Sequence, residues 1–564
     1  MLRPWVVGLW ICLGVVPQAS SNSAVAEPLR IPMRDGVLLA AHLFRPTQAQ
    51  RLPVLLLRTP YGKSRSLPPN LKPFFENGYA IVIQDVRGRY DSQGVFDPLG
   101  QEPQDGDDTL RWIAKQPWSN GNIGMLGGSY LGIVQWKAAL TGNPHLKCIF
   151  PVVSGYDDYF DRFYSTGGAM RLGHRLMWLA ANLRAPAYAP PNFWVYVTHL
   201  PLREADRLAT GQGSELFQTA LDHPSYDEFW KSVSTKQQLA RINIPVFSVG
   251  GWYDTFVQSD LEAFAELRRL GREVHTMIGP WPHNMSAGFE KFDFGPESRA
   301  PISKYQMQWF DRHLRGRESP PLPPLRLFVM GVNKWREEQQ WPLARAVPTA
   351  FYFHSRKGAN SLAGDGRLMR RPPQRSHQDR FTYDPNNPVP TQGGATCCNP
   401  KVFPWGPQDQ TPVENRRDVL VYTSPELDHD LEVTGPIKAS LFVSTTARDT
   451  DFTAKLVDVY PDGRAINLTD GILRLRYRDS LEKPVLAEPG KIYPITIDVG
   501  VTSNVFRAGH RIRVEISSSN FPRFDRNLNT GGIHGSESTG RIAEQTLYLG
   551  PSHPSHILLP LIPQ

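Results

Sequence analysis

The stretch "GNIGMLGGSYLGIVQWKAAL" at residues 121–140 sets a single serine, Ser129, among closely spaced glycines. A strand-like apolar run, "NIGML", precedes the serine, and a helix-compatible run begins near Leu131. Glycines cost backbone entropy inside a strand or a helix, so their concentration here indicates a sharp turn between the two elements. The segment therefore predicts a strand, a tight turn that carries Ser129, and a helix.

Ser129 is a candidate nucleophile, although its neighbours do not match the pattern G-x-S-x-G of α/β-hydrolases. Gly127 stands two positions before the serine, as the pattern requires, but Leu131 stands two positions after it and Gly132 comes third. A serine among glycines is also compatible with an ordinary turn. The assignment thus depends on whether the chain supplies partners that could activate the hydroxyl.

Two later strand-like runs end at residues that could be those partners. A serine hydroxyl needs a histidine base, and the histidine needs a carboxylate to orient it; in α/β-hydrolases they follow in the order Ser, Asp, His. Here "IPVFSVGG" leads into Asp254, and "EVHTMIG" leads into His283. Ser129, Asp254 and His283 therefore have the order and strand-end positions of a catalytic triad, whereas Asp222 and Asp227 follow no strand-like run.

An oxyanion hole requires two hydrogen-bond donors beside the nucleophile. The backbone N–H of Tyr130, the residue after the serine, is one candidate. Tyr61, in the run "LLLRTPYGKS" after an early strand, could donate from its hydroxyl. A packed aromatic ring at a strand end is the alternative interpretation of Tyr61.

The pattern along the chain divides it into four parts after the N-terminal segment. Alternating strand-like and helix-like runs at residues 27–155 predict the first part of an α/β-hydrolase core. Residues 156–241 lose the strand signal and are predicted to form an inserted helical cap, and residues 242–316 return to the core pattern. Residues 317–564 consist of short alternating runs between Gly, Pro, Asp and Asn turns, which predict an all-β jelly-roll sandwich.

Residues 1–26 have the pattern of a secretory signal peptide. Arg3 precedes the apolar run "WVVGLWICLGVV", and "AVA" at residues 24–26 supplies small residues for cleavage. Pro17 interrupts the run before it reaches the roughly 18 residues of a membrane span. We expect a secreted or periplasmic protein that makes no membrane contact after the signal is removed.

Composition excludes several other classes of function. The net charge of +8 comes from Lys and Arg scattered among acids, so nucleic acid is not an expected partner. Of the four cysteines, Cys12 lies in the signal and Cys148 lies in an apolar run; Cys397 and Cys398 could form a vicinal disulfide or remain thiols. Four thiolates are typical of structural zinc, so we expect neither a metal nor a cofactor. A homo-oligomer is left open.

The motifs together resemble the CocE/NonD hydrolases, a group that includes cocaine esterase, α-amino-acid ester hydrolases and X-Pro dipeptidyl-peptidases. The segments that carry the resemblance are "RTPYGK", "QDVRGRYDSQGVF", "GGSYLG", "GGWYD", "IGPWPH" and "FRAGHRIRVEISSSNFPRFDRN". In that family the second glycine of the serine motif comes one place later, as Gly132 does here. The resemblance implies Ser129, Asp254 and His283 as the triad, and it implies Tyr61 hydroxyl and Tyr130 N–H as oxyanion donors.

The resemblance also bears on the substrate. Family members that act on α-amino acyl groups carry extra acids directly after the triad aspartate, whereas residues 255–257 here are Thr, Phe and Val. This difference argues against a charged α-amino acyl group and favours a bulky, mostly neutral one. Asp157, Asp158 and Asp161 could supply negative charge from the cap, although we expect them to be solvated loop acids.

Three cap aromatics, Trp178, Phe193 and Trp194, are candidates for an acyl pocket, with packing inside the cap as the alternative. The sequence therefore predicts a serine hydrolase that cleaves a small-molecule ester or amide through an acyl-enzyme. The alternatives are an X-Pro dipeptidyl-peptidase or acylaminopeptidase-like amidase and, from another class, an inactive protein that binds a surface or a polysaccharide. A dehalogenase with an aspartate nucleophile is excluded because a serine occupies the turn.

Overall fold

The computed structural model describes residues 25–46, 51–286, 288–402 and 404–563. The predicted signal peptide lies outside these ranges except for its last two residues, so it stays a prediction. Among the described residues, no helix is both long and apolar enough to cross a membrane.

The first part of the core alternates strands and helices, as predicted. A 3₁₀ turn at Pro69–Leu71 precedes the first helix. The elements are β1 (Glu27–Pro32), β2 (Leu38–Phe44), β3 (Leu52–Thr59), α1 (Lys72–Glu76), β4 (Ala80–Asp85), α2 (Glu102–Ala114), β5 (Ser119–Gly128), α3 (Tyr130–Ala139) and β6 (Leu146–Val152).

The inserted segment between β6 and the next strand is helical throughout its regular structure. It begins with a π-helical turn at Asp158–Phe163 and includes 3₁₀ turns at Leu202–Glu204 and Leu239–Arg241. Its α-helices are α4 (Leu172–Asn182), α5 (Phe193–Val197), α6 (Ala205–Thr210), α7 (Glu215–Asp222), α8 (Glu228–Val233) and α9 (Thr235–Gln238).

The chain then returns to the core. The 3₁₀ turn Pro296–Ser298 precedes the last long helix of this part. The elements are β7 (Val246–Tyr253), α10 (Val257–Arg269), β8 (Val274–Pro282), β9 (Gly288–Phe289), β10 (Phe292–Asp293), α11 (Ile302–Arg315), β11 (Leu325–Val329) and β12 (Lys334–Glu338).

The core is a ten-stranded sheet in the order β1-β2-β4-β3-β5-β6-β7-β8-β11-β12. Neighbours from β4 to β11 pair in parallel, and the outer pairs are antiparallel. Helices α2, α3 and α10 cover one face of this sheet, and α1 and α11 cover the other. Central strands are therefore apolar on both faces, as in β3, where all eight residues are buried.

Two strands that the sequence assigns to the β-sandwich belong to the core sheet instead. β11 pairs in parallel with β8, Leu325 opposite Thr276, and β12 completes the sheet edge as a hairpin with β11. The proline-rich run after α11 is thus a crossover connection within the core. The physical reason is that β8 would otherwise expose an unpaired edge next to the end that carries His283.

The C-terminal part is all-β apart from α12 (Thr411–Glu414) and the 3₁₀ turn Leu475–Tyr477. Its longest strands, β17 and β20, pair with each other over most of their length. The strands are β13 (Val347–His354), β14 (Arg367–Met369), β15 (His377–Tyr383), β16 (Leu420–Thr423), β17 (Leu431–Thr445), β18 (Asp451–Val459), β19 (Ala465–Arg474), β20 (Tyr493–Phe506), β21 (Arg511–Ser517), β22 (Ala543–Leu549) and β23 (His556–Ile562).

This β-domain packs directly on the cap. Phe521 is part of the apolar cluster inside the cap, and the Met170 N–H donates to Asp525 Oδ1 at 2.7 Å. The Gly173 N–H, in the first turn of α4, donates to the Pro522 carbonyl at 2.8 Å. The β-domain therefore fixes the position of the N-terminal end of α4.

The three cysteines of the described residues differ in state. Cys148 is a buried free thiol, as expected from its apolar run. Cys397 and Cys398 are joined as a vicinal disulfide, which selects one of the two alternatives that the sequence left open.

Candidate active site

Ser129 lies in the turn between β5 and α3 with a left-handed backbone, φ +55° and ψ −124°. Such a φ is rare for a non-glycine residue and marks a strained turn. Gly127 has φ +136°, and a Cβ there would come within 2.5 Å of the Leu131 Cβ. The Ser129 N–H donates to the Val152 carbonyl of β6 at 2.9 Å, which anchors the turn to the sheet.

The displaced glycine of the motif has a steric reason. A Cβ at Gly132 would lie 2.4 Å from the Cβ of Ser154, a contact that real structures do not contain. Ser154 follows β6, the strand next to β5, so α3 must approach the end of β6 closely for the turn to close. The glycine three places after Ser129 is therefore required by packing.

Ser129, His283 and Asp254 form one hydrogen-bonded triad. The Ser129 Oγ lies 3.1 Å from His283 Nε2, and His283 Nδ1 lies 2.6 Å from Asp254 Oδ2. A carboxylate only accepts hydrogen bonds, so His283 Nδ1 carries the proton and Nε2 is left to accept from the serine hydroxyl. The three side chains come from the ends of β5, β7 and β8, as the sequence order requires.

The surroundings of Asp254 and His283 keep both side chains in place. Asp254 is fully buried, and its Oδ1 accepts the Phe256 N–H at 3.0 Å. The Phe256 ring meets the His283 ring edge-on at 5.6 Å. The His283 side chain is 15% exposed, so the base is reachable from one side only.

Tyr130 is the first residue of α3, where a backbone N–H has no acceptor within the helix. Its side chain is buried, and its hydroxyl donates to Glu102 Oε1 at 2.6 Å. Glu102 in turn forms a buried ion pair with Arg58 at 2.7 Å. Burial and the Glu102 charge hold the pKa of Tyr130 well above its usual range, so the hydroxyl stays a donor. These contacts fix the peptide that follows the serine.

Tyr61 lies in the loop after β3, next to Tyr130, and 38% of the residue is exposed. Its ring is edge-on to the Tyr130 ring, with centroids 6.5 Å apart. The Trp178 indole N–H donates to the Tyr61 hydroxyl oxygen at 3.2 Å. Because that oxygen already accepts a hydrogen bond, the hydroxyl hydrogen is free to be donated to another group.

The structure separates the three predicted pocket aromatics. Trp178 lies at the site, stacked on Tyr130 with centroids 6.3 Å apart and planes within 6°, and the Phe96 ring lies 6.5 Å from Trp178 and 6.1 Å from Tyr130, so the three rings form one cluster. Phe193 is buried among cap residues, and Trp194 is 44% exposed on the cap surface. Helix α5, which carries both, packs against α4 and α6 rather than against the triad.

The acids Asp157, Asp158 and Asp161 are not solvated, contrary to expectation, because each has polar partners inside the protein. Asp157 accepts two backbone N–H groups at the start of the π-helical turn, and Asp158 pairs with Lys137 and Arg162. Asp161 accepts the N–H groups of residues 156 and 157, both at 2.8 Å. All three stabilise the base of the cap.

Sequence reasoning missed one set of residues near the site, on the face of α4 that carries Trp178. Arg171 donates from Nη1 to Thr255 Oγ1 at 2.7 Å, directly beside Asp254. His174 and Arg175 come between Arg171 and Trp178. Trp178 follows His174 by four residues and Arg175 by three, which places these three side chains on one side of the helix and could have identified them. Arg171 precedes the helix by one residue.

Among the residues that the structure describes, no group of three or more His, Cys, Asp or Glu side chains could hold a metal ion. The polar side chains beside Ser129 are His283 and, behind it, Asp254.

Comparisons with known proteins show the family to which the chain belongs. Residues 35–285 match the family X-Pro dipeptidyl-peptidase (S15 family), and residues 320–558 match the X-Pro dipeptidyl-peptidase C-terminal non-catalytic domain. The cocaine esterase of Rhodococcus sp. (strain MB1 Bresler) is 41% identical to this chain, over 96% of the chain and 99% of that protein. The chain belongs to the CocE/NonD family of serine hydrolases.

Solved structures show the same fold over the whole chain. An aminopeptidase from the marine sediment archaeon Thaumarchaeota archaeon superimposes with a TM-score of 0.84, 26% identity and 99% coverage of both chains. An α-amino acid ester hydrolase superimposes with a TM-score of 0.82 and 24% identity, over 99% of this chain and 98% of the other. The predicted α/β-hydrolase core with a helical cap and C-terminal jelly-roll is thereby confirmed.

Proposed function

We propose that this chain is an exported esterase in which Ser129, His283 and Asp254 are the catalytic residues. The single observation that carries the proposal is the unbroken hydrogen-bonded path from Asp254 through His283 to a serine held at a strained strand-to-helix turn. Serine hydrolases use this arrangement to make a hydroxyl nucleophilic near neutral pH.

The reaction proceeds in two halves. Ser129 Oγ attacks the ester carbonyl carbon while His283 Nε2 takes the hydroxyl proton, and Asp254 stabilises the imidazolium that forms. The tetrahedral intermediate collapses, the alcohol leaves with the proton from His283, and the acyl group stays on Ser129 as an ester. Water, deprotonated by His283, then attacks this acyl-enzyme and releases the carboxylic acid.

The oxyanion of each tetrahedral intermediate is stabilised by the Tyr130 N–H and the Tyr61 hydroxyl. The Tyr130 amide is held at the helix start and is free to donate. The Tyr61 hydroxyl oxygen accepts a hydrogen bond from the Trp178 indole N–H. This bond polarises the Tyr61 O–H group, which makes the hydroxyl a stronger donor. Donors fixed in advance cost no reorganisation when the charge develops.

Ester substrates are favoured over peptides with a free amino terminus. The 41% identical relative is named a cocaine esterase, which supports ester cleavage. An X-Pro dipeptidyl-peptidase must accommodate an ammonium group, but the position after Asp254 is Thr255, and the cation Arg171 donates to it. X-Pro dipeptide release, suggested by the names of both matched domains, is therefore the second candidate.

The proposed location is the periplasm or the exterior of the cell. Support comes from the signal-like residues 1–26. The vicinal disulfide of Cys397 and Cys398 suits an oxidising compartment. The partner is a small-molecule ester.

The test is the variant Ser129→Ala. We expect it to fold and to lose on the order of 10⁴ or more in kcat for a 4-nitrophenyl ester, because the nucleophile is gone. It should also lose labelling by a fluorophosphonate probe, whereas Ser66→Ala, an exposed serine in the loop after β3, should keep both activity and labelling. Normal turnover by Ser129→Ala would overturn the proposal, and a binding protein without activity would leave even the wild type unlabelled.

A further inference from the structure

Arg171 immediately precedes α4, and His174, Arg175 and Trp178 follow on the helix; we call these four side chains the α4 face. Arg171 at one end donates to Thr255, the neighbour of Asp254. Trp178 at the other end donates to Tyr61, the proposed oxyanion donor. Seven residues of helix span about 10 Å, so the α4 face extends across the site from the acid to the oxyanion hole. His174 and Arg175 lie between these two anchors.

Neither Arg171 nor Arg175 has a carboxylate partner among the described residues. Arg171 Nε donates to the carbonyls of Phe160 and Tyr164, at 3.2 and 3.1 Å. Arg175 Nη2 donates to the Arg162 carbonyl at 2.7 Å, and Arg175 Nε has no hydrogen-bond partner although it is buried. Only 6% of Arg175 is exposed.

His174 is similarly unsatisfied. It is 8% exposed, and its Nε2 has no hydrogen-bond partner. Burial, together with the charges of Arg175 and Arg171, holds the pKa of His174 well below its usual range. A neutral imidazole of this kind can donate a hydrogen bond to an anion.

The carboxylates whose charges act on Arg171 have other hydrogen-bond partners. Asp254 accepts from His283 and the Phe256 N–H. Asp470 accepts from Arg523 and Asn520. Asp161 accepts two backbone N–H groups and the Ser259 hydroxyl, and its burial raises its pKa to about 7, which weakens it as a counter-charge.

The α4 face is thus a largely buried positive site in which, among the described residues, no carboxylate pairs with Arg171 or Arg175. A guanidinium keeps its proton in proteins, and a buried charge without a partner is strongly unfavourable. Burial and the Arg162 charge lower the pKa of Arg175 to about 9, so its positive charge persists at neutral pH. The rings of Phe163 and Trp178, 4.5 and 5.8 Å from the guanidinium carbon, orient Arg175 but carry no net charge.

We propose that the α4 face is a substrate subsite for a carboxylate, so that the natural ester carries an anionic group in addition to the bond that is cleaved. Arg175 and His174 bind this carboxylate, and Arg171 contributes its charge from the Thr255 side. The proposal rests on the proposed esterase function and names its substrate class. It replaces the expectation of a mostly neutral acyl group. The carboxylate belongs to either the acyl or the alcohol portion, and the test separates these sources.

The experiment compares esters that differ only in one charge. For the acyl side, the pair is the 4-nitrophenyl ester of adipic acid and the 4-nitrophenyl ester of its monoamide. For the alcohol side, the pair is 4-acetoxyphenylacetate and 4-acetoxyphenylacetamide. In each pair a carboxamide replaces a carboxylate of nearly the same size, and the rate without enzyme is subtracted. We expect kcat/KM to favour the carboxylate by about 10- to 100-fold in one of the two pairs, the gain typical of hydrogen bonds to charged groups.

Variants then assign the preference to the α4 face. Arg175→Met keeps an unbranched stem between the two rings and removes the charge, and we expect it to lower the carboxylate-to-carboxamide ratio at least tenfold. Arg175→Lys keeps a cation and should retain part of the ratio. The matched control is Arg184→Met, an exposed arginine just beyond the end of the same helix, which should leave the ratio at the wild-type value.

The outcomes are distinct. Equal or lower kcat/KM for the carboxylate in both pairs overturns the subsite while the esterase remains. A wild-type preference that persists in Arg175→Met also overturns it, because the preference then originates elsewhere and Arg175 has only a packing role. Absence of hydrolysis of all four esters, with no fluorophosphonate labelling of Ser129, overturns the esterase itself and the subsite with it.

Discussion

The sheet side and the cap side of the site differ in whether their polar and charged groups have partners within the protein. On the sheet side, the triad is internally complete: Asp254 faces His283, His283 faces Ser129, and the acid has a further backbone donor. On the cap side, the partly buried Arg171 and the buried Arg175 donate only to carbonyls and a hydroxyl. The difference indicates that the core supplies the chemistry, whereas the cap is complete only with a ligand present.

The two sides also differ in what holds them. The triad stands on strand ends of one sheet, whose register is set by backbone hydrogen bonds. The N-terminal end of α4 is tied to the β-domain through the Pro522 carbonyl and Asp525. Substrate selection should therefore depend on contacts between two domains, while the catalytic step depends on one.

The largest effect tests the completeness of the triad. Asp254→Asn should lower kcat by about 10³- to 10⁴-fold for neutral and anionic esters alike, because an amide favours the wrong tautomer of His283. The control is Asp260→Asn. Burial and the charge of Asp254 hold the pKa of Asp260 well above its usual range, so it is already neutral and an amide changes little. Steady-state kinetics with both ester pairs measure this; a loss confined to anionic esters would contradict the division between the two sides.

A smaller effect is expected at the junction of the two sides. Tyr61→Phe removes only a hydroxyl and should lower kcat by about 10²- to 10³-fold with little change in KM, as for other oxyanion donors. Trp178→Phe removes the donor to that hydroxyl and should lower kcat less, by up to about tenfold. Unchanged kcat in Tyr61→Phe would mean that Tyr61 only packs beside the site. The Tyr130 N–H would then be the remaining oxyanion donor of the two.

The smallest expected effect is on stability, and it tests whether Asp161 is ionised and so balances the positive charge of the α4 face. Its pKa is raised to about 7, so the neutral form is favoured in the folded state. The stability that this form contributes is lost as the pH rises through 7. Since asparagine does not titrate, the free energy of unfolding of the wild type should fall relative to Asp161→Asn between pH 5 and 8, by about 2 kcal/mol.

Denaturant unfolding of both proteins at the two pH values measures this difference. Glu318→Gln, at an exposed carboxylate, should show no such pH dependence. A stability difference between wild type and Asp161→Asn that is constant from pH 5 to 8 would mean that Asp161 is charged, and the α4 face would then have an internal anion.

Much of the site was predictable because its signals are local. The elbow, the order of the triad and the strand-end positions of Asp254 and His283 follow from apolar runs and the residues that end them. The late glycine of the motif was the exception. Its position counted against the pattern until packing against Ser154 explained it.

Other features depended on contacts between distant segments. β11 has the alternation of a sandwich strand, yet it pairs with β8 of the core sheet, and periodicity does not reveal which sheet a strand joins. Asp157 and Asp158 lie in a segment with the composition of a loop, but both are buried. Lys137 forms an ion pair with Asp158, and the Ser234 hydroxyl donates to Asp157. A sequence shows charges and does not show which of them find partners.

The sequence by itself determined the class of fold, the catalytic residue types and their order, because periodicity and turn chemistry act over a few residues. Only the tertiary structure decided which cap side chains reach the site. Arg171 meets Thr255 across 84 positions and Trp178 meets Tyr61 across 117, so no local pattern records either contact. The electrostatic character of the site follows from those contacts, since burial and pairing, which decide whether a charge is satisfied, exist only in the folded chain.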